Sequence, residues 1–102
     1  RSDAGKSVFI KCQACHEAEQ GVNKIGPTLK GVVGRKTASI ADYKYSDAMA
    51  AKGAGGQVWD EATLAAYLPD PKAMVPGTKM AFPGLKNPQD VADVIAYLKT
   101  KQ

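Results

Sequence analysis

The 102-residue sequence predicts an all-α fold of about five short helices and long loops. Apolar residues recur three and four positions apart near both ends of the chain, which is the periodicity of amphipathic helices. Residues that cap helices precede these segments, and no strand pattern surrounds the two cysteines. We expect a chain of this length to form one domain, residues 1–102, with a small core of its own.

The first helix is predicted over residues 3–13, with Asp3 as its N-cap and with Phe9 and Cys12 on one face. Gly5 lies four residues before Phe9. Glycine inside a helix costs about 1 kcal/mol relative to alanine. Gly5 therefore indicates either close approach by another helix, with the C-terminal helix as the expected partner, or a tolerated position near a frayed end.

The segment from Cys12 to His16 reads Cys-Gln-Ala-Cys-His, the pattern for covalent attachment of a c-type haem. Residues three apart lie on one face of a helical turn, so the sulfurs of Cys12 and Cys15 can reach the two vinyl groups of one porphyrin edge. The imidazole of His16 then follows as an axial ligand of the iron. Because His16 is the only histidine, a haem with two histidine ligands is excluded.

Three other interpretations of the cysteine pair are weaker. A thioredoxin-like redox couple requires a βαβ setting. A closed zinc site requires four ligands, and the chain has no third cysteine and no second histidine. A disulfide across so short a loop would constrain the unfolded chain rather little. The sequence therefore favours haem attachment over all three.

Residues 17–45 form an irregular connection with few periodic apolar positions. Such a long loop without its own core is uncommon in a compact domain, and it is explained if the loop wraps a cofactor. A short helix is then predicted over residues 47–52, opened by Ser46 or Asp47 and stopped at Gly53.

Three more helices are predicted in the second half of the chain. One covers residues 60–68 with Asp60 as its N-cap, and a single turn begins at Asp70. The last helix is capped by Asn87 and has Pro88 in its first position. Its apolar positions follow the i, i+3, i+4, i+7 spacing, and they are Val91, Val94, Ile95 and Leu98.

The second axial position decides between a carrier and a catalyst, and three methionines could fill it. Met49 and Met74 fall in short helices, where a methionine is usually core filler. Met80 lies in a polar loop bracketed by Pro76-Gly77 and Pro83-Gly84, and iron ligation gives it a role there. A thioether opposite imidazole raises the reduction potential, and two filled positions exclude oxygen and peroxide. A lysine or an open site is the alternative.

The formal net charge of +4 suggests an acidic partner. No aromatic-basic interleaving or recognition-helix pattern supports nucleic acid as that partner. No apolar run approaches the roughly 20 residues that span a bilayer, so we expect a soluble chain. The stretch from 71 to 89 contains Lys72, Lys79 and Lys86 and no acidic residue.

Taken in this order and spacing, the residues resemble class I cytochrome c of the mitochondrial and bacterial c2-like type, over essentially the full length. The matching segments are Cys12–His16, Gly26-Pro27-Thr28-Leu29, Gly34-Arg35-Lys36, Tyr45-Ser46-Asp47-Ala48, Trp59, Pro76-Gly77-Thr78-Lys79-Met80 and Ile95-Ala96-Tyr97-Leu98. The resemblance implies a cytochrome c fold around one covalent haem c. It also implies terminal helices packed crosswise at Gly5, Phe9, Val94 and Tyr97.

The resemblance gives roles to residues around the haem. It implies that His16 and Met80 ligate the iron, and that the Pro27 carbonyl accepts a hydrogen bond from the second ring nitrogen of His16. It places Tyr67 and Thr78 in hydrogen bonds near the Met80 sulfur. The residues that would satisfy the haem propionates are Arg35, Tyr45, Ser46 and Trp59.

Two positions depart from the family pattern. Met49 stands where the family usually has an asparagine that donates to a propionate and to an internal water. Because a thioether cannot donate, we expect the water to be loosened or expelled and the reduction potential to change. Asn23 replaces a histidine that ties two loops together, and we expect its amide to keep part of that role.

The resemblance also implies a docking face that rings the exposed haem edge. Its members are Lys11, Lys24, Lys72, Lys79, Lys86 and Phe82. Such a basic ring steers and orients an acidic redox partner through a small, fast-dissociating interface. Without the resemblance, scattered lysines are simply a solvated surface and Phe82 is core.

These observations predict a soluble, monomeric one-electron carrier rather than an enzyme. A bc1-type complex or an upstream cytochrome would be the donor, and a terminal oxidase or a photosynthetic reaction centre the acceptor. The alternatives are a haem enzyme or ligand sensor with an open sixth site, and a structural or metal-binding domain. Covalent haem attachment occurs on the outer side of energy-transducing membranes, which predicts the periplasm, with the mitochondrial intermembrane space as the alternative.

Overall fold

Five α-helices and long irregular segments make up the protein, and the computed structural model describes residues 1–102. A 3-10 turn over Ile10–Cys12 follows the first helix. The only β-type pairing is an isolated antiparallel bridge between Lys36 and Val58. The all-α prediction is therefore confirmed. In chain order the helices are α1 (Ser2–Phe9), α2 (Asp47–Ala54), α3 (Glu61–Tyr67), α4 (Pro71–Met74) and α5 (Pro88–Lys99).

The predicted cap and end of α1 are wrong. Arg1 is the N-cap residue, and Asp3 lies in the first turn. An acidic residue near a helix start is favoured both as a cap and by the helix dipole in the first turn, so its presence alone does not fix the boundary. The α-helix ends at Phe9, and the chain tightens into the 3-10 turn before it reaches the first cysteine.

The terminal helices α1 and α5 pack against each other at Gly5. A Cβ atom at Gly5 would clash with the backbone carbonyl of Asp93 and lie 2.7 Å from Tyr97 Cβ. The rings of Phe9 and Tyr97 pack beside this point with their centroids 5.3 Å apart. Gly5 is therefore a site of close helix approach, and the frayed-end alternative is excluded.

The start of α2 is as predicted, but its end is not. Ser46 Oγ accepts a hydrogen bond from the Met49 N–H at 3.1 Å, so Ser46 is the N-cap. The helix continues through Gly53 to Ala54. Gly53 packs against the backbone of Thr37, whose carbonyl carbon would lie 3.1 Å from a Cβ atom. This glycine permits a helix–loop contact and does not stop the helix.

The caps of the later helices are as predicted. Asp60 and Asp70 each accept a hydrogen bond from the backbone N–H three residues later, at 2.8 and 3.3 Å. Asn87 accepts one from the N–H two residues later, at 2.9 Å, and Pro88 occupies the first turn of α5. These side chains satisfy backbone donors that a helix start leaves without partners.

The connection over residues 17–45 contains no helix or extended strand, as predicted, and side-chain hydrogen bonds fix its course. The Asn23 amide nitrogen donates to Asp42 Oδ1 at 3.0 Å, and its amide oxygen accepts from the Thr28 N–H at 3.0 Å. One amide thus joins two distant parts of the connection, which confirms the role expected of Asn23.

The buried apolar residues lie mainly on α1, α3 and α5 and on the loops beside them. Both Leu64 of α3 and Leu98 of α5 are buried in this core, together with Val75 and Leu85 from the loops. None of the helices combines the length and the apolar character of a membrane-crossing helix.

Replacing Gly5 by alanine should lower the free energy of unfolding of the haem-loaded protein by about 1–3 kcal/mol, although alanine is the better helix former. The added methyl group would meet the Asp93 backbone, which can move only if α5 shifts. Guanidinium unfolding measures the change. Ser7→Ala, at an exposed position of the same helix, is the control and should stay within about 0.5 kcal/mol. An unchanged midpoint for Gly5→Ala would contradict the close packing.

Candidate haem-binding site

The segment after α1 places His16 against Pro27. The backbone N–H groups of Cys15 and His16 both bond to the Cys12 carbonyl, at 3.1 and 2.9 Å. His16 Nδ1 lies 2.8 Å from the carbonyl oxygen of Pro27. A carbonyl can only accept, so Nδ1 carries the proton and donates it. The other ring nitrogen, Nε2, then keeps a lone pair that can bind a metal.

Gly26 makes this contact possible. A Cβ atom at Gly26 would clash with the imidazole ring of His16 and lie 2.7 Å from Nδ1. Two backbone hydrogen bonds of 2.8 Å flank the ring, from the Gly26 N–H to Cys15 and from the Leu29 N–H to Glu17. They hold the two segments together on both sides of the imidazole.

The environment of His16 favours its neutral form. Burial lowers the pKa of His16, the hydrogen bond to Pro27 opposes this change, and the positive charges of Arg35 and Lys24 lower the pKa further. A neutral imidazole is the form that ligates iron. The surroundings therefore favour the form of the imidazole that can bind a metal.

Both cysteines are unpaired and half-buried. Burial raises the pKa of Cys12, the neighbouring Cys15 adds to the increase, and the positive charge of Lys11 opposes it. Reactive dithiols in redox enzymes have the opposite property, a lowered thiol pKa. The Cys12 environment therefore does not favour a redox-active couple.

Met80 is held by two neighbours. Tyr67 Oη lies 4.0 Å from the Met80 sulfur and can donate to it, and the Met80 N–H donates to Thr78 Oγ1 at 3.2 Å. Burial raises the pKa of Tyr67 to about 12, while a hydrogen bond with Thr78 opposes the increase. Tyr67 therefore keeps its proton at neutral pH. The ring of Trp59 packs on Tyr67 with the centroids 4.7 Å apart.

Arg35 carries an unpaired buried donor. Its Nε is buried without a hydrogen-bond partner, while its Nη1 donates to the Lys30 carbonyl at 3.2 Å. Burial lowers the pKa of Arg35, and Tyr45 opposes this change. Arginine nevertheless stays charged in proteins, and a buried donor without an acceptor costs free energy. The side chain is therefore suited to an anionic group.

Tyr45 and Ser46, which are also predicted near the propionates, have partners within the chain. Tyr45 Oη accepts a hydrogen bond from the Ile40 N–H at 3.1 Å, and Ser46 Oγ accepts from Met49 as a helix cap. Because each hydroxyl is used only as an acceptor, each keeps a proton to donate. Trp59 is buried.

The predicted docking lysines are all exposed, and Phe82 packs partly buried against the core. Lys11 and Lys72 form no hydrogen bond with their ammonium groups, and the other three lysines donate to backbone carbonyls. These pairs are Lys24 with Gln13 at 2.5 Å, Lys79 with Lys44 at 3.0 Å and Lys86 with Pro69 at 2.6 Å.

Comparison with known proteins identifies the family, because the sequence model described as cytochrome c matches residues 2–102. The chain belongs to the cytochrome c family. It is 55% identical over 92 residues to cytochrome c2 iso-2 of Magnetospirillum fulvum, an alignment that covers 90% of this chain and 93% of that one. Cytochrome cH from Methylobacterium extorquens has 52% sequence identity and a TM-score of 0.88, with 98% of both chains covered. Cytochrome c2 from Rhodospirillum centenum has 34% identity and a TM-score of 0.93, with 99% of this chain and 98% of that chain covered.

Membership confirms the cytochrome c fold and the family predicted from the sequence. Cytochromes c are electron-transfer proteins with covalently bound haem c. The residues of this chain fit that group. Cys12 and Cys15 supply two free thiols, His16 a neutral imidazole and Met80 a thioether, and the unpaired Nε of Arg35 supplies a donor for a carboxylate.

Sequence reasoning missed Glu17. Its carboxylate accepts hydrogen bonds from the N–H groups of Glu19, Gln20 and Val22 at 2.7–2.8 Å, and from the hydroxyl of Thr28 at 2.5 Å. Burial opposes the charge, but the bonds from Thr28 and the three N–H groups lower the pKa of Glu17 to about 2. Its bonds to Glu19, Gln20 and Val22 are local, but the bond to Thr28 spans 11 positions and forms only through the fold of the loop.

Replacing Gly26 by alanine should displace the imidazole of His16, because the methyl group would overlap the ring. We expect the free energy of unfolding to fall by about 1–3 kcal/mol and the reduction potential of the haem-loaded protein to change. Denaturant unfolding and a redox titration measure the two effects.

Gly55→Ala is the matched control for this substitution. A Cβ atom at Gly55 comes no closer than 3.5 Å to its neighbours, and the backbone there has an ordinary φ of −77°. Equal effects of Gly26→Ala and Gly55→Ala would show that the contact with His16 has no special weight.

Proposed function

We propose that this protein is a soluble one-electron carrier whose haem c is bonded to Cys12 and Cys15 and ligated by His16 and Met80. The haem supplies a redox centre that alternates between ferric and ferrous iron, and the protein sets its potential, its access and its docking. The observation that carries this proposal is that both candidate ligands are held in a form that can bind iron. A neutral imidazole is fixed on Pro27, and a thioether lies beside a protonated tyrosine.

The two axial ligands also argue against the enzyme and sensor alternatives. With His16 and Met80 on the iron, no position remains for oxygen, peroxide or a substrate. Thr78 holds the backbone of Met80, and the hydroxyl of Tyr67 donates toward its sulfur. These bonds would hold the thioether in place in both oxidation states of a bound haem.

The propionates of the haem would lie near Arg35. The unpaired Nε of Arg35 would donate to one carboxylate, and the hydroxyl protons of Tyr45 and Ser46 and the indole N–H of Trp59 would complete the set. Buried carboxylates stay ionised only if donors replace their water. Pro27 contributes on the other side by orienting His16.

The basic face would select an acidic redox partner. Long-range attraction would raise the rate of encounter, and complementary charges would orient the two proteins. The exposure of the five lysines and the acid-free stretch from 71 to 89 support this part of the proposal. The docking face comprises Lys11, Lys24, Lys72, Lys79, Lys86 and Phe82.

We place the protein in the periplasm, as a monomeric single domain over residues 1–102. Its relatives include bacterial proteins named cytochrome c2, and haem c is attached on the outer side of energy-transducing membranes. A bc1-type complex or another cytochrome would be the electron donor. A terminal oxidase or a photosynthetic reaction centre would be the acceptor.

Replacing Met80 by alanine should abolish the weak sulfur-to-iron charge-transfer band of the ferric protein and lower its reduction potential, because the thioether favours ferrous iron. The reduced wild-type protein should bind carbon monoxide poorly, whereas the variant with its vacated position should bind it readily. Absorption spectroscopy measures all three quantities.

Met74→Ala is the control, because Met74 is also partly buried against the core and is not a proposed ligand. It should keep the band while losing stability. Persistence of the band in Met80→Ala, or ready binding of carbon monoxide by the wild-type protein, would refute the ligand assignment.

Electron transfer to a purified acidic redox protein should slow by about tenfold or more as the ionic strength rises from about 0.01 to 0.5 M, because screening removes the steering. Stopped-flow absorbance measures the rate. Lys72→Glu should slow the reaction at low salt, and Lys6→Glu, an equal charge change on α1, should have a smaller effect. A flat salt dependence, or equal effects of the two substitutions, would count against the docking face.

A further inference from the structure

Glu17 and Thr28 form a side-chain link next to the proposed iron ligand, which we name the Glu17–Thr28 clasp. The Thr28 hydroxyl donates to Glu17 Oε1 at 2.5 Å, and the same carboxylate accepts three backbone N–H groups from the turn that follows it. Thr28 is only 5 % exposed. Charge-assisted hydrogen bonds of this length are stronger than neutral ones.

The clasp involves Thr28, the residue that directly follows Pro27. Pro27 has no N–H group, so its own backbone cannot bond to the segment that carries His16 except through its carbonyl. Thr28 donates the hydrogen bonds that Pro27 cannot donate. Its hydroxyl bonds to Glu17, and its N–H bonds to the Asn23 side chain at 3.0 Å. The peptide that presents the Pro27 carbonyl is therefore held from its C-terminal side.

Glu17 holds this segment in two ways. Its backbone carbonyl accepts the Leu29 N–H at 2.8 Å, and its side chain accepts the Thr28 hydroxyl. Apart from the bond between His16 and Pro27, the contacts of Glu17 with the Thr28 hydroxyl are the only side-chain hydrogen bonds between residues 15–17 and 26–29. Two backbone bonds, from Gly26 to Cys15 and from Leu29 to Glu17, hold the same segments, and the clasp adds to them at the residue that follows Pro27.

We propose that Glu17 and Thr28 are positioning residues for the axial histidine. Together with the two backbone bonds, the clasp sets the distance between His16 Nδ1 and the Pro27 carbonyl, and through it the basicity of the imidazole. This inference rests on the proposed function, in which His16 binds the iron. A strong bond from Nδ1–H to an acceptor makes the imidazole a better donor and favours ferric iron. A weakened clasp should therefore favour ferrous iron.

The primary test is Thr28→Val in the haem-loaded protein, with Thr28→Ser as the matched rescue. Valine keeps the shape and changes no charge, but it removes the hydroxyl that bonds to Glu17, whereas serine keeps it. We expect the ratio of reduced to oxidised protein at a fixed ambient potential to rise on the order of a few-fold in Thr28→Val. Solvent exchange of the His16 Nδ1 proton, followed by NMR, should accelerate on the order of tenfold. Thr28→Ser should resemble the wild type in both measurements.

Glu17→Gln tests the other half of the clasp, with Glu19→Gln as the charge control. Both substitutions remove one negative charge, but Glu19 pairs with Lys101 and does not contact Thr28. Exchange of the His16 Nδ1 proton should accelerate in Glu17→Gln and remain at the wild-type rate in Glu19→Gln. This pair also tests the proposal if Thr28→Val fails to fold.

The outcomes separate this inference from the proposed function. If Thr28→Val and Glu17→Gln lose stability while the potential and the proton exchange stay unchanged, the clasp is only structural and the inference is wrong, although the carrier function stands. If the ferric wild-type protein shows no hyperfine-shifted His16 ring protons, the histidine is not a ligand. Both the inference and the proposed function then fail.

Discussion

The hydrogen bond between His16 Nδ1 and the Pro27 carbonyl is the interaction on which the arrangement of the site depends. It assigns the ring proton to Nδ1 and leaves Nε2 as the donor atom for a metal. It also requires that Gly26 lie directly against the ring, where any side chain would clash. The long connection over residues 17–45 must therefore return to the cysteine segment with a narrowly defined geometry, although it contains no helix to guide it.

Several buried polar groups of the protein are arranged in a way that suits a bound cofactor. Arg35 has a buried donor without an acceptor, while Tyr67 is kept protonated beside the Met80 sulfur. An unpaired buried donor costs free energy, and a core designed only for stability would avoid it. These residues are better explained by what they would offer to a haem, namely a donor for a carboxylate and a positioned thioether. The close contact of α1 and α5 at Gly5, by contrast, is a packing contact between helices and involves none of these polar groups.

Local sequence signals correctly predicted the features whose hydrogen bonds are made to residues nearby in the chain. Asp60, Asp70 and Asn87 cap helices as expected, because a cap bonds to a backbone group only two or three residues away. The prediction failed where a distant contact decides the outcome. Gly53 is typical of a helix end, yet it lies inside α2 because the Thr37 backbone packs against it. Glu17 was missed for the same reason.

The sequence by itself determined the kind of cofactor and the class of fold, since the cysteine–histidine motif and the helical periodicity are both short-range patterns. The order of the matching segments was enough to indicate the family. The resemblance to the family had already implied the Pro27 carbonyl as the partner of His16 and Tyr67 as a neighbour of the Met80 sulfur. Only the tertiary structure showed that Glu17 fixes the loop through Thr28, because nothing in the local sequence brings these two residues together. These pairs are separated by 11 to 13 residues of chain, and only the folded chain brings them together.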